Sequence, residues 1–300
     1  VRDEFMPWKN LILAAGYRTG GTILGGDYTD SQNAANSFYN QEKRQPAEAY
    51  EGAATLLIGK KSNFYGKYSR IYRIPFLDEQ ASFNGWGGGF YTNLDKERGQ
   101  SMELGTLLYP HDSLKISLSL FRIDMEDEIA WNDSTKRNEN LDRTRHQGAE
   151  GAISWNIKGY VTLTGQYTYH QATFEDGQYN KNELPLVPNR IMGAGADILL
   201  PYSFTLRPEV RYVGDCYLSG DYDNDAEKLS SYILYNLFLF YNRKLDIRKR
   251  PFTFRAFIGV ENIGNEKYAG FGSDNVSWGG VNTYYPMPER SYKGGLTFEF

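Results

Sequence analysis

Phe204-Thr205-Leu206-Arg207-Pro208-Glu209-Val210-Arg211-Tyr212 alternates between apolar and polar side chains, with only Pro208 lacking an amide donor. Successive side chains of a strand point to opposite faces, so this stretch predicts a β-strand with one greasy and one charged surface. The split recurs in Phe252, Phe254, Ala256, Ile258 and Val260 against Thr253, Arg255 and Glu261. Leu114, Ile116, Leu118 and Leu120 stand against Lys115, Ser117 and Ser119. The last strand sets Tyr292, Leu296, Phe298 and Phe300 opposite Lys293, Thr297 and Glu299. Alternation alone fits a soluble sandwich as well as a membrane barrel.

The spacing of the reversals separates the two. Short ones fall near 59–62, 110–113, 156–159, 200–203 and 246–251, and between them lie longer polar or Gly-rich connections at 19–48, 74–98, 132–139, 175–188, 219–228 and 270–285. Strict alternation of tight turn and long loop predicts an all-β, antiparallel meander of about twelve strands, the arrangement of a transmembrane β-barrel with its turns on one membrane side and its loops on the other. Segments such as 112–131 and 228–245 exceed the roughly 9–11 residues a strand needs to cross a bilayer, so they should project beyond it. Tyr109, Trp131, Trp155, Tyr202, Tyr217 and Tyr292 lie near strand ends, where amphipathic rings favour the headgroup layer.

Composition narrows the function classes. Aromatics make up 15% of the 300 residues, yet mean hydropathy is −0.58 and no apolar run approaches the 18 or so residues of a membrane helix. A helical membrane protein is thereby excluded. The net charge of −4 with scattered basic residues does not fit a nucleic-acid binder. Cys216 stands alone, and His111, His146 and His170 lack metal-ligand spacing, so neither a disulfide nor a metal site is expected. Residues 1–13 carry no signal-peptide pattern, which leaves a cytosolic, processed or fragmentary chain.

Several blocks resemble one known family. Phe257-Ile258-Gly259-Val260-Glu261-Asn262-Ile263-Gly264-Asn265-Glu266-Lys267-Tyr268 is similar to the penultimate strand of TonB-dependent receptors, with Ile263-Gly264-Asn265 departing from the usual Leu-Phe-Asp. Tyr284-Tyr285-Pro286-Met287-Pro288-Glu289-Arg290-Ser291-Tyr292 resembles the approach to their last strand, with Met287 and Glu289 replacing a small residue and Gly. Tyr72-Arg73-Ile74-Pro75, followed by Asn93-Leu94-Asp95 and Glu97, looks like the family's paired Arg-x-Pro and Asn-Leu boxes. Arg145-His146-Gln147-Gly148-Ala149-Glu150 resembles the strand after the next external loop. Tyr292, Phe298 and the terminal Phe300 resemble the signal read by the barrel-assembly machinery, an exposed edge suited to strand addition.

The resemblance implies that residues 1–300 are the carboxy-terminal portion of a barrel of about 22 strands, without the plug domain and roughly the first ten strands. It implies a receptor in the outer membrane of a Gram-negative bacterium, embedded in lipid and lipopolysaccharide, that imports a metal chelate, foremost a ferric siderophore. Import would be driven by the TonB complex acting through a plug outside this chain, with the amino-terminal remainder as partner and no resident cofactor. Cobalamin is the alternative within the family. Haem ranks lower, because no His lies between Arg73 and Arg98.

Loops rich in aromatic and charged residues make Trp86, Tyr91, Arg143, Arg145, His146, Tyr179, Arg190, Tyr222, Trp278 and Tyr284 the candidate ligand contacts, stacking faces and cationic donors for a bulky anion. For each, a solvated ring or a charge paired with a neighbour is the plainer reading. Asp221-Tyr222-Asp223-Asn224-Asp225 offers oxygens but lacks the later Gly and Glu of a calcium loop, so a solvated loop is preferred. A passive porin and an outer-membrane lipase remain the rival classes. The lipase would need His170 beside Thr168 or Thr173 as base and nucleophile, and no nucleophile motif accompanies it, so an enzyme is not expected.

Overall fold

The computed structural model describes the chain apart from residues 30, 32–36, 85–86, 91–92, 133–134, 136, 248–249, 275–280 and 300. Its strands are β1 (Arg2–Trp8), β2 (Leu11–Tyr28), β3 (Phe38–Ile58), β4 (Ser62–Arg73), β5 (Ala81–Asn84), β6 (Gly87–Phe90), β7 (Glu97–His111), β8 (Leu114–Glu126), β9 (Ile129–Asn132) and β10 (Arg137–Asn140). They continue as β11 (Thr144–Ile157), β12 (Val161–Phe174), β13 (Arg190–Leu200), β14 (Phe204–Val213), β15 (Tyr232–Ile247), β16 (Arg250–Glu261), β17 (Ala269–Ser273), β18 (Thr283–Pro286) and β19 (Ser291–Glu299). Thirteen of them hydrogen-bond in chain order into one antiparallel sheet, β1-β2-β3-β4-β7-β8-β11-β12-β13-β14-β15-β16-β19. The other six form three small hairpins, β5–β6, β9–β10 and β17–β18, each within a long connection.

The turns read from the sequence are in place, and three details differ. A further reversal at 9–10 adds β1, which pairs with β2 from Arg2↔Gly16 onward, so the sheet has thirteen strands where about twelve were expected. Residues 19–48 are mostly strand: β2 and β3 stay in register from Leu11↔Leu56 to Gly26↔Gln41. Their glycines hide the alternation, but backbone pairing does not need side chains. The expected strand 112–131 instead breaks at Asp127, whose φ of 61° turns the chain into the β9–β10 hairpin. At 18 and 21 residues, β2 and β3 far exceed the membrane span.

Directly paired residues share a face, so the register carries the alternation from strand to strand. Leu206 pairs Leu239, Leu239 pairs Ile258 and Ala256 pairs Leu296, all on one side. On β8, Leu120 pairs both Leu104 and Ala149 on that same side. This surface leaves Leu104, Leu118, Leu120, Ile258 and Leu296 half or more exposed, as a lipid-facing wall requires. The opposite face carries the charges, paired across neighbouring strands: Arg207 with Asp197 at 2.5 Å, Lys293 with Glu261 at 2.6 Å, Lys67 with Glu51 at 3.2 Å. A one-residue slip would turn every one of these toward lipid, which locks the register.

Pro208 lies inside the sheet and has no N–H to give. The β13–β14 ladder accordingly omits the pairs opposite Pro208 and Arg207, resuming at Ile198↔Leu206, and the Arg207–Asp197 ion pair spans the gap.

Aromatic rings border the apolar surface on both sides. Phe64, Trp155, Phe204 and Phe298 lie toward the short turns, and Tyr17, Tyr50, Tyr167, Tyr235 and Tyr292 toward the long connections. Tyr202 is 85% exposed in the short turn before β14. The expectation for Trp131 and Tyr217 is corrected: Trp131 belongs to the β9–β10 hairpin, and Tyr217 lies in the 214–231 connection beneath Lys228. Sequence position near a strand end does not distinguish a membrane-edge ring from one folded over the opening.

Some rings on the polar face lie flat over a glycine of the next strand. Phe238 covers Gly259 and Tyr65 covers Gly105, where an added Cβ would overlap the ring. Gly259→Val should therefore destabilise the barrel by about 1–3 kcal/mol through overpacking. The check is the temperature at which its heat-resistant electrophoretic mobility is lost, with Gly52→Ala, which meets open space, as the unaffected control.

Cys216 sits in the 214–231 connection, 6% exposed and bridged through its backbone to Leu229. Burial, with Asp215 adding to it, pushes the thiol up to about 11. Only about a thousandth would then be thiolate at pH 8, so Cys216 should resist maleimide until the protein is denatured. Rapid labelling of the folded protein would show that this connection opens.

Candidate ligand-binding face

The long connections fold over the polar face, and one arginine anchors them. Arg73, at the end of β4, donates to Glu97 at 2.7 and 2.5 Å and to both oxygens of Glu79 at 2.8 Å. Glu97 is 7% exposed and also accepts the backbone N–H of Ile129 at 2.9 Å. Through Arg73, Glu79 and Glu97 together tie the 74–96 connection to the β9–β10 hairpin. The Asn93-Leu94 box lies against β3: the Leu94 carbonyl accepts Gln45 Nε2 at 2.9 Å and Lys43 Nζ at 2.8 Å. The boxes quoted from the sequence are therefore structural parts of the opening.

Deeper on the same face, His146 of β11 meets His170 of β12. Their Nδ1 and Nε2 atoms are 3.1 Å apart, and His146 Nε2 lies 3.2 Å from Glu128 Oε2, which also accepts Thr144 Oγ1 at 2.5 Å. Phe121 packs edge-on against His170. Burial of Glu128 opposes its charge, but the hydrogen bonds from His146 and Thr144 outweigh it, holding the carboxyl below its ordinary value. The result is a linked polar group, Glu128–His146–His170, suited to positioning rings and donors.

Above the histidines, Phe174, Tyr179 and Tyr222 pack with centroids 5.4–5.6 Å apart, around Ala172 and Leu184. The Tyr222 hydroxyl donates to the Trp131 carbonyl at 2.9 Å, and burial pushes it up to about 12. Asn224 exchanges hydrogen bonds with the backbone of Glu183, joining the 175–189 and 214–231 connections. The acidic run is not simply solvated: Asp221 is 2% exposed and accepts the N–H groups of Asp225 and Ala226. It is a buried turn former.

The candidate contacts thus separate by place. His146, Tyr179 and Tyr222 gather over the polar face, while Tyr284 lies in the β17–β18 hairpin, half exposed. Arg143 is exposed in the connection before β11 and pairs with Asp176 at 3.0 Å. Arg145 and Arg190 are corrected from loop to strand residues. Arg145 pairs Asp124 opposite, and Arg190 pairs Tyr169, so both project from the outer surface, away from the opening. Alternation parity places them there, which the strand-end sequence did not reveal. Tyr292 and Phe298 lie on the outer face of β19. Trp86, Tyr91, Trp278 and Phe300 fall outside the described residues. Glu128, Phe174 and Trp131 escaped notice as site residues and His170 was weighed only as a lipase base, since only the register Gly148↔His170 brings the two histidines together.

Against known proteins, residues 3–263 match the family model "TonB dependent receptor-like, beta-barrel". The catecholate siderophore receptor Fiu of Escherichia coli UTI89 is 24% identical over 218 residues, 70% of this chain and 27% of that receptor. An uncharacterized TonB-dependent receptor of Haemophilus influenzae is 23% identical over 61% of this chain and 55% of its own length. Among solved structures, the ferric yersiniabactin receptor FyuA of Yersinia pestis superposes with a TM-score of 0.76 at 16% identity, covering 98% of this chain and 44% of that one. The closed form of Fiu from E. coli K12 gives 0.71 at 19%, covering 99% and 43%. The chain spans about a quarter to a half of the relatives it matches. With the family model covering most of its length and the same sheet in both structures, the chain belongs to the TonB-dependent receptor β-barrel family.

Proposed function

We propose that this chain forms the carboxy-terminal part of the barrel of an outer-membrane receptor that takes up a metal chelate, foremost a ferric siderophore, by TonB-dependent transport. The family match over 3–263 carries this reading. The plug that TonB would pull, and the remaining strands, belong to partner segments beyond residues 1–300. Two of the similar proteins are receptors for ferric chelates, Fiu for ferric catecholate and FyuA for ferric yersiniabactin.

The polar face supplies chemistry that suits such cargo. Tyr179 and Tyr222 offer ring faces, His146 a further polar ring, and Tyr284 an exposed ring on the β17–β18 hairpin. Of these, Tyr222 is bound into the loop core, so Tyr179 is the ring with more freedom to stack on a ligand. The barrel is a conduit in this reading, and His170 serves to orient His146 without catalysing a reaction.

The test uses the full receptor in cells lacking other iron-chelate receptors and follows radioactive iron delivered as a ferric catecholate. Uptake should stop when an uncoupler collapses the proton gradient. Tyr179→Ala should raise the half-saturating concentration roughly tenfold, equivalent to about 1.4 kcal/mol, with Tyr179→Phe close to wild type. Uptake that continues without the gradient would overturn the active-transport reading in favour of a passive pore.

A further inference from the structure

Two imidazole rings from adjacent strands converge on the polar face. His146 of β11 and His170 of β12 are not direct partners: the register pairs His146 with Ala172 and Gly148 with His170, so the histidines meet on the diagonal. Their ring centroids lie 5.3 Å apart with planes inclined at 36°, and His146 Nδ1 comes within 3.1 Å of His170 Nε2. In this structure the pair shares a hydrogen bond, and the same spacing suits a shared metal ion. With each nitrogen at about 2.05 Å from the ion, 3.1 Å corresponds to a nitrogen–metal–nitrogen angle of about 100°. That lies between the right angle of a tetragonal copper site and the roughly 109° of a tetrahedral zinc site.

Glu128 sets the tautomer that such a site needs. Its Oε2 lies 3.2 Å from His146 Nε2, and a carboxylate there accepts the Nε2–H, which leaves Nδ1 with a bare lone pair on the side of His170. Metal-binding histidines are oriented in this way, by a carboxylate on the nitrogen turned away from the ion. Glu128 is itself held, because Thr144 Oγ1 donates to the same oxygen at 2.5 Å. When an ion replaces the hydrogen bond, the His170 proton moves from Nε2 to Nδ1, so both rings bind as neutral ligands.

The rings are braced as well as paired. Phe121 of β8 packs edge-on against His170 with centroids 5.7 Å apart. It reaches that position by lying over Gly148, where an added Cβ would come within 2.9 Å of the Phe121 ring. The His146 side chain is 16% exposed and His170 is half-buried, so the pair is fixed yet open to the polar face. No group of three or more His, Cys, Asp or Glu ligands is assembled among the described residues, so the protein would supply two nitrogens and solvent the remaining positions.

We propose that His146 Nδ1 and His170 Nε2 bind one late first-row divalent cation, Cu²⁺ ahead of Zn²⁺, with Glu128 as the positioning residue and water completing the coordination. Imidazole suits both ions, and at a given nitrogen site Cu²⁺ binds the more tightly. The inference stands on strand register and ring geometry and is independent of what the receptor transports.

The full receptor, purified in detergent and freed of metal with a chelator, would be titrated with Cu²⁺ and followed by electron paramagnetic resonance. Wild type should show a one-equivalent species with hyperfine structure from two nitrogens, which Zn²⁺ displaces only at higher concentration. His146→Ala and His170→Ala should each abolish that species and weaken binding at least tenfold, with heat-resistant mobility confirming the folded barrel. His111, in a short turn beside Ser113, is the control, and His111→Ala should change nothing. Glu128→Ala should keep the two-nitrogen signature while weakening binding about tenfold to a hundredfold, and Glu128→Gln, whose amide oxygen still accepts from Nε2, should restore most of the loss. A wild type without the two-nitrogen species, or a species that persists in either histidine variant, would overturn the proposal. Glu128→Ala binding as tightly as wild type would remove the positioning role. Should one histidine variant not fold, the other decides. Iron uptake plays no part in the readout, so the two proposals fail separately.

Discussion

Backbone hydrogen bonding in a medium without water is the constraint on which this structure depends. Lipid offers no donor or acceptor, so each N–H and C=O in the wall must find its partner in the adjacent strand. The meander meets this by pairing each of the thirteen sheet strands with the next of them along the chain, and by placing its tight turns and long connections at opposite ends. Where the chain breaks the rule, at Pro208, an ion pair between Arg207 and Asp197 bridges the gap on the polar side.

Once the ladder is in register, side chains have no freedom to choose a face. That is why a charge series can lie inside the wall on one strand and outside it on the next. Leu120 and Arg122 share the outward surface, whereas Phe121 and His146 face inward. Depth then decides chemistry: the same outward parity is greasy along Leu114 to Leu120 and charged from Arg122 to Glu126. The aromatic rows at both borders mark the transition, since a tyrosine ring gains from having its body in hydrocarbon and its hydroxyl in the headgroup layer.

The opening is built differently from the wall. Its connections are too irregular to satisfy themselves, and they borrow partners from one another: Glu97 accepts from Arg73 and Ile129, Asn224 from Glu183, the Trp131 carbonyl from Tyr222. Family boxes legible in the sequence turn out to be these ties. Their role is to hold the long segments over the polar face, so that Tyr179 and Tyr222 meet although they belong to separate parts of the chain.

Much of the wall was legible in the sequence, because period-two alternation and the order of short and long reversals follow directly from pairing in a bilayer. Phe204 to Tyr212 and Leu114 to Leu120 lie on the faces their patterns require. The long glycine-rich β2–β3 ladder was not legible, since glycine carries no facing signal while its backbone pairs as well as any other. Nor was the site: His146 and His170 are joined only by register across strands. The amino-acid sequence by itself determined that this chain makes an amphipathic antiparallel wall. Only the tertiary structure decided which charges face the opening and which face the lipid border, because facing is a property of paired strands and not of any one of them.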